Sequence, residues 1–193
     1  MTDLTEFNWQ ESIFPNDIEA LNKLMETYIC RNMLIAEIGT WKGCSASIMA
    51  RRLQKVGGQL FVIDHWKGSN GFQKEASNRD VYSIFKSNMV AENLWDIVHP
   101  LVMDSKTASK IFRDDILDFV YIDGDHSYEA VKLDISSWLP KLKVNGVMVG
   151  HDYYEPDHPR RQGHPGVTQA VKELFSDDYS VMDDSCIWYH IKK

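Results

Sequence analysis

The chain has 193 residues, 44% hydrophobic and 25% charged, with a formal net charge of −7. Such a composition suits a soluble globular protein, residues 1–193 are expected to form a single domain, and the acidic balance excludes a nucleic-acid backbone as the main partner, since that needs a basic surface. The three scattered cysteines, Cys30, Cys44 and Cys186, lack metal-site spacing and suggest a reducing cytoplasm, while the absence of a basic-then-apolar start or a long apolar run predicts no leader and no membrane span.

Residues 1–15 carry Phe7, Trp9 and Phe14 and read as a terminal arm packed on the core. Pro15-Asn16-Asp17 opens a helix with Ile18, Leu21, Met25 and Tyr28 at helical spacing, so 1–32 is an arm and a helix. Met33–Ile38 is an apolar run fit for a buried strand. It turns through Gly39 and Gly43 into a helix from Cys44 to about Lys55, stopped by Gly57-Gly58. A strand, a glycine turn and a helix N-terminus can take up an anionic ligand. The order is not G-x-G-x-x-G, because Trp41 stands where a second close glycine belongs and Glu37 precedes Gly39. A carboxylate there can hold an ammonium or a hydroxyl but would repel a pyrophosphate.

Leu60–Asp64 is a second strand whose terminal Asp64 lies 25 positions after Gly39, a place that suits ribose hydroxyls. That spacing supports a nucleoside without choosing which one. His65–Asp80 is polar, contains Trp66 and Phe72, and reads as a long loop. Val81, Ile84, Phe85 and Met89 predict the next helix. Ile97–Met103 is a third strand interrupted by His99-Pro100 and followed by Asp104-Ser105. Leu117–Ile122 is a clear fourth strand, leading into Asp123-Gly124-Asp125-His126-Ser127-Tyr128. Val131, Ile135, Trp138, Leu139 and Leu142 mark one helical face. A turn and fifth strand, Val144–Gly150, precede His151-Asp152. A loop from Glu155 to Pro165 holds His158 and His164, and Val167, Ala170, Val171, Leu174 and Phe175 give a last helix. Tyr179–Met182 and Ile187–Ile191 form a closing hairpin around Asp183–Ser185. The fold expected is α/β, doubly wound and mostly parallel, with an antiparallel C-terminal hairpin.

The proposed strand ends carry Glu37, Asp64, Asp104, Asp123 and Asp152. Ligands bind beyond those ends in an open parallel sheet. Clustered acids repel one another unless cations neutralise them, and Asp123, Asp125 and Asp152 offer oxygens of the kind hard divalent ions prefer. Asp125 reads rather as a helix-start acid, and His65, His158 and His164 as surface loop residues.

Glu37-x-Gly39-Thr40-x-x-Gly43-x-Ser45, Asp64, Asp123–Tyr128 and Gly150-His151-Asp152 together resemble class I methyltransferases that use S-adenosylmethionine (SAM), of the macrolide-sugar and catechol O-methyltransferase types. The resemblance spans roughly residues 33–175. It implies a seven-stranded Rossmann-like sheet. It also implies SAM held along Glu37, Gly39, Thr40, Trp41, Ser45, Asp64, His65, Asp104, Ser105 and Asp123. Glu37 and Gly39 would line the methionine end, Ser45 its carboxylate, Asp64 the ribose, and Asp104-Ser105 the adenine. Asp123 and Asp152, with His151, would hold Mg²⁺ or Mn²⁺, and His126 would take the proton of a small-molecule hydroxyl. The chain departs from the pattern at His126, where the catechol type has Lys, and at His151, where a carboxylate is usual. Assembly with like chains is left open. Two alternatives stand beside this reading. An NAD-dependent oxidoreductase is disfavoured by Glu37 and Trp41, and a non-catalytic SAM-binding module by the Asp123/His126/Asp152 set.

Overall fold

A computed structural model describes residues 13–69 and 73–193. Phe7, Trp9 and Phe72 lie outside those residues, so the expected arm is described only from Ile13. The elements run α1 (Pro15–Tyr28), β1 (Met33–Ile38), α2 (Cys44–Val56), β2 (Gly58–Asp64), α3 (Gln73–Asn78), α4 (Val81–Ala91), β3 (Val98–Val102), α5 (Ser105–Ser109), β4 (Leu117–Ile122), α6 (Tyr128–Trp138), β5 (Leu142–Gly150), α7 (Pro165–Phe175), β6 (Ser180–Val181) and β7 (Trp188–Ile191). The seven strands form one sheet in the order β3-β2-β1-β4-β5-β7-β6. β1 to β5 pair in parallel, and β7 runs antiparallel to both β5 and β6. This is the Rossmann-like architecture expected from the alternating pattern.

Side chains alternate across each strand and build two cores. One face sets Ile35, Leu60, Val62, Phe119, Tyr121 and Val149 against α1, α2 and α4. The other sets Ala36, Ile38, Ile63, Val120, Ile122 and Met148 against α5, α6 and α7. Burial on both faces explains why these strands read as continuous apolar runs. No helix among the described residues is long and apolar enough to cross a membrane.

Three local expectations are corrected. The polar stretch after β2 is not all loop, for it contains α3, whose six residues bury none of their side chains. A helix that short shows no apolar period. β3 is unbroken at His99-Pro100, because it is an edge strand and Pro100 needs no outward ladder bond. Leu142 is not on α6. The helix ends at Trp138, Leu139–Lys141 form one 3₁₀ turn around Pro140, and Leu142 opens β5 opposite Leu117. A proline there removes a helical donor and ends the run.

Phe119 is fully buried on a central strand. Phe119→Ala should cost about 3–5 kcal/mol by urea unfolding. A loss below about 1 kcal/mol would show that the two-sided core is not what holds the sheet.

Candidate active site

Strand order reverses between β1 and β4, and that switch point is where an open α/β sheet binds ligands. Gly39 follows β1 with φ +81°, and a Cβ on it would sit 2.2 Å from the carbonyl oxygen of Asp123. Only glycine lets the two loops touch there. Its N–H bonds Ile63, and the Asp123 N–H bonds Ile38, so the loops are fixed to the neighbouring strands. Asp64 ties the turn to β2. Its Oδ2 accepts the N–H groups of Thr40 (3.1 Å) and Trp41 (3.0 Å), and its Oδ1 accepts that of Trp66 (2.6 Å). Trp66 in turn donates Nε1–H to the Trp41 carbonyl. Lys42, itself buried, reaches Glu75 on α3 at 2.6 Å and so ties that helix to the same turn.

Glu37 is fully buried beneath the turn. Its Oε1 accepts the Ser45 hydroxyl, and the Thr40 side chain lies close enough to pull on the same carboxyl. Burial pushes its carboxyl up to about 8, against the pull of the Ser45 hydrogen bond. The turn therefore rests on a buried acid whose charged form burial disfavours and the Ser45 and Thr40 side chains favour.

The second half of the site lies at the ends of β4 and β5. Asp123 Oδ1 and Asp152 Oδ2 are faced by the same two histidines. His126 Nε2 is 3.6 Å from the first and 3.0 Å from the second. His151 Nδ1 is 3.7 Å and 3.4 Å from them. Asp152 takes a left-handed backbone, φ 61°, uncommon for a residue with a Cβ but tolerated by Asp. That conformation is braced by His164, whose N–H bonds the Asp152 carbonyl at 2.8 Å. Gly163 makes the approach feasible, because a Cβ there would meet the same carbonyl oxygen at 2.0 Å. The His164 ring then stacks on His126, centroids 4.5 Å apart.

The charges explain one another. Burial alone would discourage charge on His151. The field of Asp123 and the bonds to Asp152 and Asp17 overcome it and raise the ring well above its ordinary value. Burial also opposes charge on His126, but Asp123 and Asp152 raise it. Burial works against the charged form of Asp152 as well, yet His151 and His126 hold it down at about 2. Among the described residues, two sets of donor atoms lie within 4.8 Å of one another: Asp123, His151 and Asp152, and His126, Asp152 and His164. A cavity of about 10 Å³ between Asp123, His126, His151 and Trp188 has room for about one water, and the Trp188 Nε1–H has no partner among the described residues. A larger cavity, about 400 Å³ and lined by Tyr153, Arg161, Lys172 and Tyr179, includes none of these site residues.

The fold therefore brings together Glu37, Gly39, Thr40, Trp41, Ser45, Asp64 and Asp123 around one turn, and Asp123, His126, His151 and Asp152 around one pair of carboxylates. Other expected residues lie further out or are already engaged. Exposed Asp104 caps α5 by accepting the Thr107 N–H. The Ser105 hydroxyl accepts the Trp138 indole N–H at 2.8 Å. His65 is exposed, 4.0 Å from Asp64, and accepts the Lys67 N–H. Asp125 Oδ1 accepts the Ser127 N–H, as a helix-start acid should. Sequence reasoning missed two residues. Asp17, read only as a helix start, is buried, with its Oδ2 3.1 Å from His151 Nε2. His164, read as a surface residue, is exposed but packs on His126.

A family model described as a methyltransferase domain matches residues 36–153. A curated protein of Sinorhizobium fredii (strain NBRC 101917 / NGR234), y4gI, is 29% identical over 135 residues, 64% of this chain, which spans only 13% of that protein's length. An O-methyltransferase from Bacillus cereus, solved in complex with SAH, superposes with a TM-score of 0.63 at 20% identity, covering 94% of this chain and 83% of the other. A SAM-dependent O-methyltransferase from Thermotoga maritima gives 0.63 at 15% identity, covering 93% and 66%. At such identities the two structures speak for the fold.

Glu37 makes a pH-linked prediction for the ligand-free protein. A carboxyl raised by folding stabilises the fold fully below its ordinary value near 4.5, and that contribution is lost as pH rises through about 8. Asp134, raised to about 6, acts in the same sense but its contribution ends sooner. Between pH 6 and 8, Glu37→Gln should therefore lessen the decline in unfolding free energy by up to about 1.4 kcal/mol per pH unit. Parallel stability curves for the two proteins would show that Glu37 is not the buried acid described here.

Proposed function

We propose that this chain, which belongs to the family of methyltransferase domains, transfers a methyl group from SAM to a hydroxyl of a small molecule. The observation that carries the proposal is the paired carboxylates Asp123 and Asp152 with His126 between them, beside the glycine turn at the sheet's switch point. SAM supplies an electrophilic methyl on a sulfonium. The residues fit it. Glu37 is a buried acid beneath the turn whose charged form an ammonium would favour, and the Gly39–Trp41 turn is already fixed by Asp64.

This chain's own groups then have distinct tasks. Glu37 and Ser45 receive the amino-acid end, and Asp64 the ribose hydroxyls. Asp123, His151 and Asp152 would hold a divalent ion, whose charge would favour loss of the acceptor's proton. His126 Nε2 accepts that proton as the acceptor oxygen bonds the methyl carbon and the carbon–sulfur bond breaks. Alignment of the two reactants supplies much of the acceleration. The 153–164 segment, pinned by the Tyr154–Gln162 and Tyr153–His164 bridges, and the region around α3 wall the acceptor side. A sugar, a polyketide or a catechol hydroxyl fits this reading.

The family match sets aside the NAD-dependent oxidoreductase. A non-catalytic SAM-binding module remains the second reading, and turnover separates the two. The test is incubation with SAM, Mg²⁺ or Mn²⁺ and a panel of hydroxylated compounds, read by mass spectrometry. Transfer of one methyl group to oxygen is expected. Tight SAH binding with no transfer to any acceptor would favour the module. His126→Ala should lower the rate by about 10²–10⁴ while SAH binding persists. Asp64→Ala should weaken SAH binding by about 1–3 kcal/mol in calorimetry, and an unchanged affinity would contradict its assignment.

A further inference from the structure

The unexpected feature of the site is Asp17. It comes from the first turn of α1, far from the site in sequence, and is buried. Its two oxygens do different things. Oδ1 accepts the Ser185 hydroxyl at 2.7 Å and the Cys186 N–H at 2.8 Å. Oδ2 stands 3.1 Å from His151 Nε2. The His151 side chain is only 10% exposed, and its other nitrogen, Nδ1, points between Asp123 and Asp152. An acceptor-only carboxylate at ion-pair distance favours keeping a proton on Nε2, so the proton a bound ion would replace is the one on Nδ1, which faces the carboxylate pair. A carboxylate behind a histidine is how proteins fix the tautomer and aim of a metal-ligating imidazole.

We propose that Asp17 is a positioning residue that makes His151 a fixed nitrogen ligand, so that the centre of Asp123, His151 and Asp152 selects a first-row transition ion of the Fe²⁺, Co²⁺ or Zn²⁺ class over Mg²⁺. The inference rests on the reading of Asp123 and Asp152 as a cation site. Oxygen-only sets suit Mg²⁺, which keeps its waters, whereas imidazole favours the later ions. The donor spacings come near those of a set holding such an ion, one inside its range and one slightly beyond it. Ligand atoms bound at about 2.0–2.1 Å in a tetrahedral set lie roughly 3.3–3.5 Å apart. His151 Nδ1 is 3.4 Å and 3.7 Å from its two carboxylate partners.

Asp17→Asn is a near-isosteric test. The two donors on Oδ1 pin the amide oxygen there, so the amide nitrogen faces His151 Nε2. Nε2 must then accept, which moves the ring proton to Nδ1, in the way of the ion. The full chain is titrated with Co²⁺ and with Mg²⁺, using calorimetry and the visible absorption of bound Co²⁺, which reports nitrogen ligation. Co²⁺ should bind more tightly than Mg²⁺. Asp17→Asn should weaken Co²⁺ by about 10–100-fold and leave Mg²⁺ nearly unchanged. Ser185→Ala removes one partner of Oδ1, and the acceptor of the Ile187 N–H, but leaves Oδ2 facing His151, and should bind Co²⁺ like the parent chain. His151→Asp covers the case in which Asp17→Asn does not fold, and should narrow the preference for Co²⁺ over Mg²⁺ by at least about tenfold. Equal loss of both ions in Asp17→Asn, or an unaltered preference in His151→Asp, overturns the inference and leaves the cation site standing. Absence of binding by either ion to the parent chain overturns the cation site as well.

Discussion

Asp123 and Asp152 end neighbouring parallel strands, and a sheet spaces such ends about 4.8 Å apart. At that distance two carboxylates repel by roughly 3–4 kcal/mol for an effective dielectric near 20. The fold does not avoid the conflict. It sets two histidines against the pair, His126 on one side and His151 on the other, and the carboxylates favour the charged form of each until a ligand's charge replaces it. It also uses backbone strain to hold Asp152 in place, since that residue keeps φ at 61° while its carbonyl accepts the N–H of His164. A protein that needed only stability would place apolar residues at these strand ends. Compensated acids kept in a partly exposed crevice are what the proposed function needs, a site that exchanges its counter-charges for a ligand's.

The proposed nucleoside half of the site depends on the same wall. Gly39 lies against the Asp123 carbonyl, so the turn and the carboxylate pair cannot move independently. Asp64 fixes that turn from β2, and Lys42 links it to α3 through Glu75. On the opposite side, Asp17 joins α1 to the β6–β7 hairpin and to His151. Helices and hairpin thus converge on one crevice through a small number of charged or hydrogen-bonded contacts. The two hydrophobic cores supply the rigidity that makes those contacts definite.

Much of this was legible in the sequence. Strands buried on both faces are continuous apolar runs, and their terminal acids are adjacent to them in the chain, so Glu37, Asp64, Asp123 and Asp152 could be placed from local pattern alone. The roles expected of His126 and His151 came instead from the resemblance carried by the Asp123–Tyr128 and Gly150–Asp152 motifs. The contacts that could not be read are the non-local ones. Asp17 looks like any helix-start acid until the hairpin and β5 are folded onto it. His164 reaches His126 only because its loop turns back through two isolated bridges. α3 is too short and too polar to show a period, and Leu142 mimicked the helical spacing beyond Pro140, where the helix had already ended.

The central claim is that the Asp123–Asp152 pair is a cation site placed to serve a reaction beside the glycine turn. Anomalous diffraction from crystals of the full chain grown with SAH and Co²⁺ tests it most directly. The account predicts one anomalous peak within bonding distance, about 2.0–2.2 Å, of Asp123, Asp152 and His151 Nδ1, with SAH along Gly39 and Asp64. Crystals holding SAH but no ion there, with both histidines still paired to the carboxylates, would contradict it.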